Sequence, residues 1–187
     1  MLRITQLVHH LLTGVIHEGD TVIDATCGNG YDTLFLAERV GESGRVHAYD
    51  IQPEAISTTE EKLIAHGLHR RVHLHLASHE TIAQETTPVK AVIFNLGYRP
   101  GGDKTITTRP ASTVRALEAA LFRLQPGGMI LIAVYPAHPG GEVEAEVVRT
   151  FVARLSIKHF TAMHMSNMLA TERAPFLVAI EKHSERL

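Results

Sequence analysis

Residues 22–33 read VIDATCGNGYDT. The apolar residues from Thr21 to Asp24 predict a short strand, and Tyr31 to Val40 has helical spacing closed by Gly41. Between them Gly28 and Gly30 let the backbone turn sharply and come close to a ligand with no Cβ in the way. A strand that runs through a glycine turn into a helix opens an α/β unit, and in open α/β sheets ligands sit outside the carboxyl ends of the strands. Upstream, Leu7, Val8, Leu11 and Leu12 predict a helix stopped by Gly14. Downstream, strands are expected at Arg45–Asp50, Val72–Leu76, Ala91–Asn95 and Met129–Val134. Helices are expected from Pro53 to Gly67, Pro110 to Leu124 and Glu142 to Leu155, with the turn QPGG ahead of the fifth strand. Val72–Leu76 alternates, as an edge strand does, whereas the continuous apolar run at Ala91–Asn95 suits burial on both faces. The last strands, Lys158 to His164 and Phe176 to Glu181, have no helix between them and predict an antiparallel hairpin. The fold class is therefore α/β, Rossmann-like: a seven-stranded, mostly parallel sheet with helices on both faces and a C-terminal antiparallel hairpin.

With 187 residues the chain is expected to form one domain, 1–187, able to bury a core without disulfides or structural metal. A hydrophobic fraction of 44% and a charged fraction of 20% are globular values, which exclude a disordered chain. Eighteen basic against twenty acidic side chains exclude strong net positive charge, so a nucleic acid would have to be held by local basic patches. One cysteine suits a reducing, cytoplasmic compartment. No apolar run is long enough to span a bilayer, and His9 and His10 interrupt the N-terminal apolar stretch, so neither a membrane anchor nor a signal peptide is expected. His66, His69, His73 and His75 lack ligand spacing and read, like His9 and His10, as solvated side chains, with no metal. Cys27 reads as packed inside the glycine loop, without a base to activate it.

Two cofactors compete for the first loop. A dinucleotide site wants GxGxxG with the helix N-terminus aimed at a pyrophosphate. Here Thr33 replaces the third glycine, and Asp32 places negative charge where phosphates would lie. S-adenosylmethionine carries an ammonium and a sulfonium and no phosphate, so Asp24 and Asp32 become attractive partners. Asp50, ending the second strand, is placed to accept hydrogen bonds from ribose hydroxyls. Thr26 and Asn29 belong to the same loop, and Ser78 and His79, after the third strand, are placed to approach the adenine or to cap a helix. Charge complementarity thus favours S-adenosylmethionine, and seven strands ending in a hairpin are the arrangement of class I methyltransferases.

After the fourth strand comes FNLGYRPGGDK, residues 94–104. Asn95, Leu96, Gly97 and Tyr98 fill the four places of an NPPY-like signature of methyltransferases that modify amino groups. An attacking nitrogen must present its lone pair in line with the methyl group. The Asn95 side-chain carbonyl could accept an N–H bond and aim that lone pair, and Tyr98 could stack on a base. A carboxylate there would instead stabilise the unreactive ammonium. Arg99, Lys104 and Arg109 form a small basic group suited to backbone phosphates. Tyr135 and His138, after the fifth strand, lie on the same edge and could contact substrate or act as a base.

DATCGNGYDT, AYDIQPEAI, FNLGYRPGGDKTITT, YPAHPGGEVEAE and PFLVAIEK together resemble a small bacterial family long described as rRNA methylases. Its characterised members are similar to tRNA 5-(aminomethyl)-2-thiouridine methyltransferase. The resemblance implies methyl transfer from S-adenosylmethionine to the aminomethyl nitrogen of wobble uridine 34, giving 5-methylaminomethyl-2-thiouridine. It puts Asp24, Gly28, Gly30, Asp50 and Gln52 in the cofactor site. It puts Asn95, Tyr98, Gly101, Gly102 and Asp103 in the catalytic loop, with Tyr135 and His138 opposite. Arg99 departs from the apolar residue expected there. The partner implied is the tRNA anticodon arm, whose unstacked wobble base can be splayed into a pocket and recognised by loops of this domain or by a homodimer surface. N-methylation of an exocyclic amine in rRNA or DNA, and a nicotinamide-dependent oxidoreductase, are the alternatives.

Overall fold

A computed structural model describes residues 3–171 and 173–183. Helix α1 (Ile4–Thr13) precedes β1 (Thr21–Asp24), α2 (Tyr31–Arg39), β2 (Arg45–Asp50), α3 (Pro53–Ala65) and β3 (Val72–Leu76). A short 3-10 turn (His79–Gln84) leads to β4 (Val89–Leu96), α4 (Pro110–Arg123), β5 (Leu124–Val134), α5 (Gly141–Ala153), β6 (Phe160–Met165) and β7 (Phe176–Lys182). The strands form one sheet in the order β3-β2-β1-β4-β5-β7-β6. β1 to β5 pair in parallel, and β7 lies antiparallel between β5 and β6. The expected sheet, its edge strand β3 and its closing hairpin are all present.

Alternation along β4 shows how both faces are filled. Val92, Phe94 and Leu96 point into one core with Ala116, Leu117 and Ala120 of α4 and Val148 of α5. Ala91 and Ile93 point into the other, with Leu12 of α1, Leu36 of α2 and Leu63 of α3. A strand buried on both sides must be apolar throughout, which is what the sequence 91–94 supplies. Two local details differ from the sequence expectation. The QPGG segment is not a turn ahead of the strand: β5 begins at Leu124, and a register shift opposite Val89 and Ala91 absorbs the extra residues. Gly127, at φ +68, and Gly128, where a Cβ would meet the Lys90 carbonyl at 2.7 Å, make that bulge feasible. On β3 the alternation is imperfect, since Leu76 is exposed while His75 is partly covered.

The order of strands reverses between β1 and β4, so the loops leaving these two strands diverge and open a crevice at the carboxyl edge of the sheet. Among the described residues, no helix is long and apolar enough to cross a membrane.

Candidate active site

The crevice has a volume of about 1590 Å³ and is lined by loops following β1, β2, β3, β4 and β5. A pocket for one drug-sized ligand runs to roughly 300–1,000 Å³, so this one has room for a cofactor and a second molecule.

Its floor is the glycine loop. Gly28 adopts φ +50, and its N–H donates to Asp50 Oδ2 at 3.0 Å; Asp50 Oδ1 accepts from the Gln52 N–H at 2.9 Å. Each oxygen keeps a second lone pair, and Asp50 and Gln52 both line the crevice. Gly30, at φ +78, starts α2, and a Cβ there would meet Thr59 Oγ1 at 2.8 Å. That glycine is therefore required for packing α2 against α3, and it does not line the crevice. Asp24 departs further from the expected role. It is fully buried beneath the loop, accepting from the Thr26 N–H at 3.2 Å and the Thr33 hydroxyl at 2.6 Å. Burial, reinforced by the nearby Asp32 carboxylate, pushes its pKa up to about 7. Asp24 shapes the loop and makes no wall of the crevice. Cys27 is packed under Thr59, and burial raises its thiol pKa, which fits the expected inert role.

Asp32 is the hub of the opposite wall. Its Oδ1 lies 2.5 Å from His9 Nε2, and its Oδ2 accepts from Asn95 Nδ2 at 2.5 Å. Three elements thus meet on one carboxylate: α1, the first turn of α2, and the end of β4. His9 also stacks on Phe35, with ring centroids 4.0 Å apart. The Asn95 N–H donates to Thr26 Oγ1 at 2.7 Å. With both of these fixed, Asn95 Oδ1 is left buried with no protein partner. Placing His9 here was beyond sequence reasoning, which read it as solvated; nothing in its spacing signals a contact 23 residues away.

The loop after β4 folds over the glycine loop. Gly97 sits at φ +140, and a Cβ there would come within 3.4 Å of His138 Nε2. Asn29 and the loop exchange contacts: Asn29 Nδ2 donates to the Pro100 carbonyl at 3.0 Å, and Arg99 donates to Asn29 Oδ1 at 3.3 Å. Tyr98, partly exposed, meets His138 edge to face at 6.0 Å, with Lys104 Nζ 5.8 Å from the Tyr98 ring centre. Arg99, Gly101, Lys104 and Arg109 line the crevice; Gly102 and Asp103 do not. Asp103 instead ties the loop to itself through the Thr105 N–H and hydroxyl, which lower its pKa. Buried Glu144 anchors the far end, accepting from the hydroxyls of Thr108 at 2.6 Å and Thr113 at 2.7 Å. A glutamate in a helix reads as solvated, so this anchor too is invisible in the sequence.

His138 donates from Nδ1 to the Pro139 carbonyl at 2.9 Å, which leaves the lone pair on buried, unpartnered Nε2. Tyr135 lines the same wall, and burial together with Asp32 raises its pKa, so it holds its proton and has an O–H to offer a ligand. Ser78 both caps the 3-10 turn, accepting from the Glu80 N–H at 3.4 Å, and lines the crevice. His79 is buried, kept neutral by burial, and its Nε2 has no protein partner.

Comparison with known proteins identifies the family. The profile of the family described as "Putative rRNA methylase" matches residues 46–181. The chain belongs to that family. A crystal structure described as a "putative rRNA-methylase" from Clostridium thermocellum superposes with a TM-score of 0.94 at 42% identity, covering 97% of this chain and 98% of that one. A protein from Streptococcus mutans described as "a putative methyltransferase", solved with SAH, superposes with a TM-score of 0.89 at 39% identity over 97% and 99% of the two chains. The Arabidopsis thaliana protein named tRNA (mnm(5)s(2)U34)-methyltransferase, chloroplastic, is 40% identical over 96% of this chain and 69% of its own length. The enzyme is a methyltransferase of the class I, S-adenosylmethionine-dependent fold.

Proposed function

We propose that this enzyme transfers a methyl group from S-adenosylmethionine to a primary amine, the aminomethyl nitrogen of 5-aminomethyl-2-thiouridine at the tRNA wobble position. S-adenosylmethionine, the cofactor, supplies an electrophilic methyl group on a sulfonium. The residues present suit it. Asp50 keeps acceptor capacity for ribose hydroxyls, Ser78 and His79 flank the neighbouring wall, and Asp32 holds negative charge near the end of the crevice where Asn95 stands.

The observation that carries the proposal is Asn95 Oδ1, a buried acceptor without a protein partner. Asp32 fixes the orientation of the amide by taking its N–H, so the carbonyl is the group left for a substrate. A neutral amine can donate one N–H to that carbonyl while its lone pair points elsewhere. An alkylamine with a lysine-like pKa near 10 costs about 4 kcal/mol to deprotonate at pH 7; a buried site beside a cationic centre lowers that cost. His138 Nε2, buried and without a protein partner in the same crevice, would take a proton from the arriving ammonium. Tyr98 offers a ring face for the base, and Arg99, Lys104 and Arg109 offer cations for the flanking phosphates. The plant relative's name specifies a wobble-uridine tRNA substrate, and the substrate chemistry asked for by Asn95 is of that kind.

The deciding assay compares label transfer from S-adenosylmethionine into tRNA carrying 5-aminomethyl-2-thiouridine, tRNA lacking it, and rRNA. Label is expected in the first alone. Label in rRNA, with none in the modified tRNA, would keep the cofactor and overturn the wobble assignment.

A further inference from the structure

The β3–β4 connection contains a 3-10 turn in place of a full helix. At the β2–β3 edge of the sheet His47, His73 and His75 stand together. Parallel register sets His47 beside His73 and Tyr49 beside His75. The rings stack in a row: His47 to His73 at 5.4 Å, His47 to His75 at 5.5 Å, and His75 on Tyr49 at 4.4 Å with planes 8° apart. Glu85, just past the 3-10 turn, reaches back over this row.

We infer that His47, His75 and Glu85 form a binding site for a divalent transition-metal ion, zinc in class, separate from the cofactor crevice. His47 Nδ1 lies 3.3 Å from His75 Nε2 and 3.3 Å from Glu85 Oε1, and His75 Nε2 lies 4.0 Å from the same oxygen. Two nitrogens each about 2.0–2.1 Å from a tetrahedral zinc stand roughly 3.3–3.4 Å apart, so the His47 contacts match and the His75–Glu85 gap closes with a small side-chain rotation. The three side chains are only 17%, 32% and 19% exposed, and the stacking and the sheet hold both rings in place. Two imidazoles and one carboxylate favour zinc, cobalt or nickel over magnesium or calcium. Tyr49 donates its hydroxyl to the liganding oxygen of Glu85, the kind of outer contact that orients a metal-bound carboxylate.

None of the three residues lines the crevice. Spacing concealed the site because His47 lies 28 residues from His75. The consequence is mechanical. Glu85 closes the connection whose first residues, Ser78, His79 and Glu80, line the cofactor crevice, so a bound ion would clasp that connection to the sheet edge.

The test uses untagged protein stripped with chelator and titrated with Co²⁺, followed by visible absorption, then back-titrated with Zn²⁺. One cobalt per chain is expected, displaced by zinc, with affinity lowered at least about tenfold in His75→Gln and in Glu85→Gln. Zinc should raise the melting temperature of the wild type and leave that of each variant unmoved. SAH binding by calorimetry shows that the variants are folded, and His75→Gln, on an edge strand, serves should Glu85→Gln fail to fold. Absence of a cobalt spectrum in the wild type, or equal cobalt binding by the wild type and the folded variants, overturns the site.

Discussion

Replacing Asn95 by alanine removes one unpartnered acceptor and one donor to Asp32. The backbone N–H can still donate to Thr26 Oγ1, and Asp32 keeps His9. What disappears is the Nδ2 bond to Asp32 and the unpartnered Oδ1. If Oδ1 receives an N–H from an amine that gains positive charge as it is methylated, the lost bond is of the charge-assisted kind, about 1.5–3 kcal/mol. At 1.36 kcal/mol per tenfold, the methyl-transfer step slows about 10- to 150-fold. The assay is single-turnover transfer at saturating S-adenosylmethionine and tRNA, with SAH affinity measured in parallel by calorimetry. The Kd for SAH should stay within about threefold, because an interaction made only in the transition state leaves binding alone. Asn95→Asp gives a second reading: it puts two carboxylate oxygens 2.5 Å apart, so the pair must retain a proton. While it does, the new side chain can still offer a carbonyl, and its rate relative to the alanine variant should rise as pH falls. A wild-type single-turnover rate in Asn95→Ala, or a loss explained wholly by weaker SAH binding, would refute the role assigned to Oδ1.

Asp24→Asn should flatten a slope in the pH dependence of stability. With a pKa of about 7 folded against 3.8 unfolded, the native state holds a proton that the unfolded chain has lost. Stability from this group is full below about pH 4 and falls as pH rises to about 7, by at most roughly 1.4 kcal/mol per pH unit. Urea unfolding of both proteins from pH 4 to 8 measures it, and an identical slope in the two would contradict the burial argument. Arg99→Glu and Lys104→Glu should each weaken tRNA binding and reduce the slope of log K against log salt by about 0.7–0.9 per lost phosphate contact; filter binding across a salt series with unchanged slope would remove them from the interface. Glu144→Ala strips the acceptor from two hydroxyls and should cost about 1–3 kcal/mol. It should depress methyl transfer more than SAH affinity, since Glu144 holds the loop after β4 and not the glycine loop.

The sheet was legible because its signals are local. Apolar runs, helix stops and glycine turns are properties of a few adjacent residues, and β1, β2 and β3 span the residues their patterns predict. The segment 124–128 was misread because proline and two glycines make both a turn and a bulge; only the pairing of β5 with β4 decides between them. Asp50, Asn95, Tyr98 and His138 could be placed on the crevice wall from the sequence since each stands at the end of a strand or just after it on the ligand side. The partners that tune them could not. His9, Glu144 and the His47–Glu85 cluster act across long separations in the chain, and each belongs to an element whose own pattern calls for a solvated residue there.

Asp24 and Asp32 show how one short loop divides two carboxylates between two tasks. Both stand near the turn, and two adjacent negative charges cannot be buried cheaply. Their surroundings separate them. Asp24, fully buried and bonded to Thr26 and Thr33, yields its charge first and acts as a strut. Asp32, at the first turn of α2, stands where a helix terminus suits negative charge and has two nitrogen partners, His9 and Asn95. Of the two carboxylates, Asp32 is the one that faces the crevice. A cationic cofactor gains from a carboxylate on that wall and a pyrophosphate would lose, while Asp24, which does not line the crevice, braces the loop beneath it.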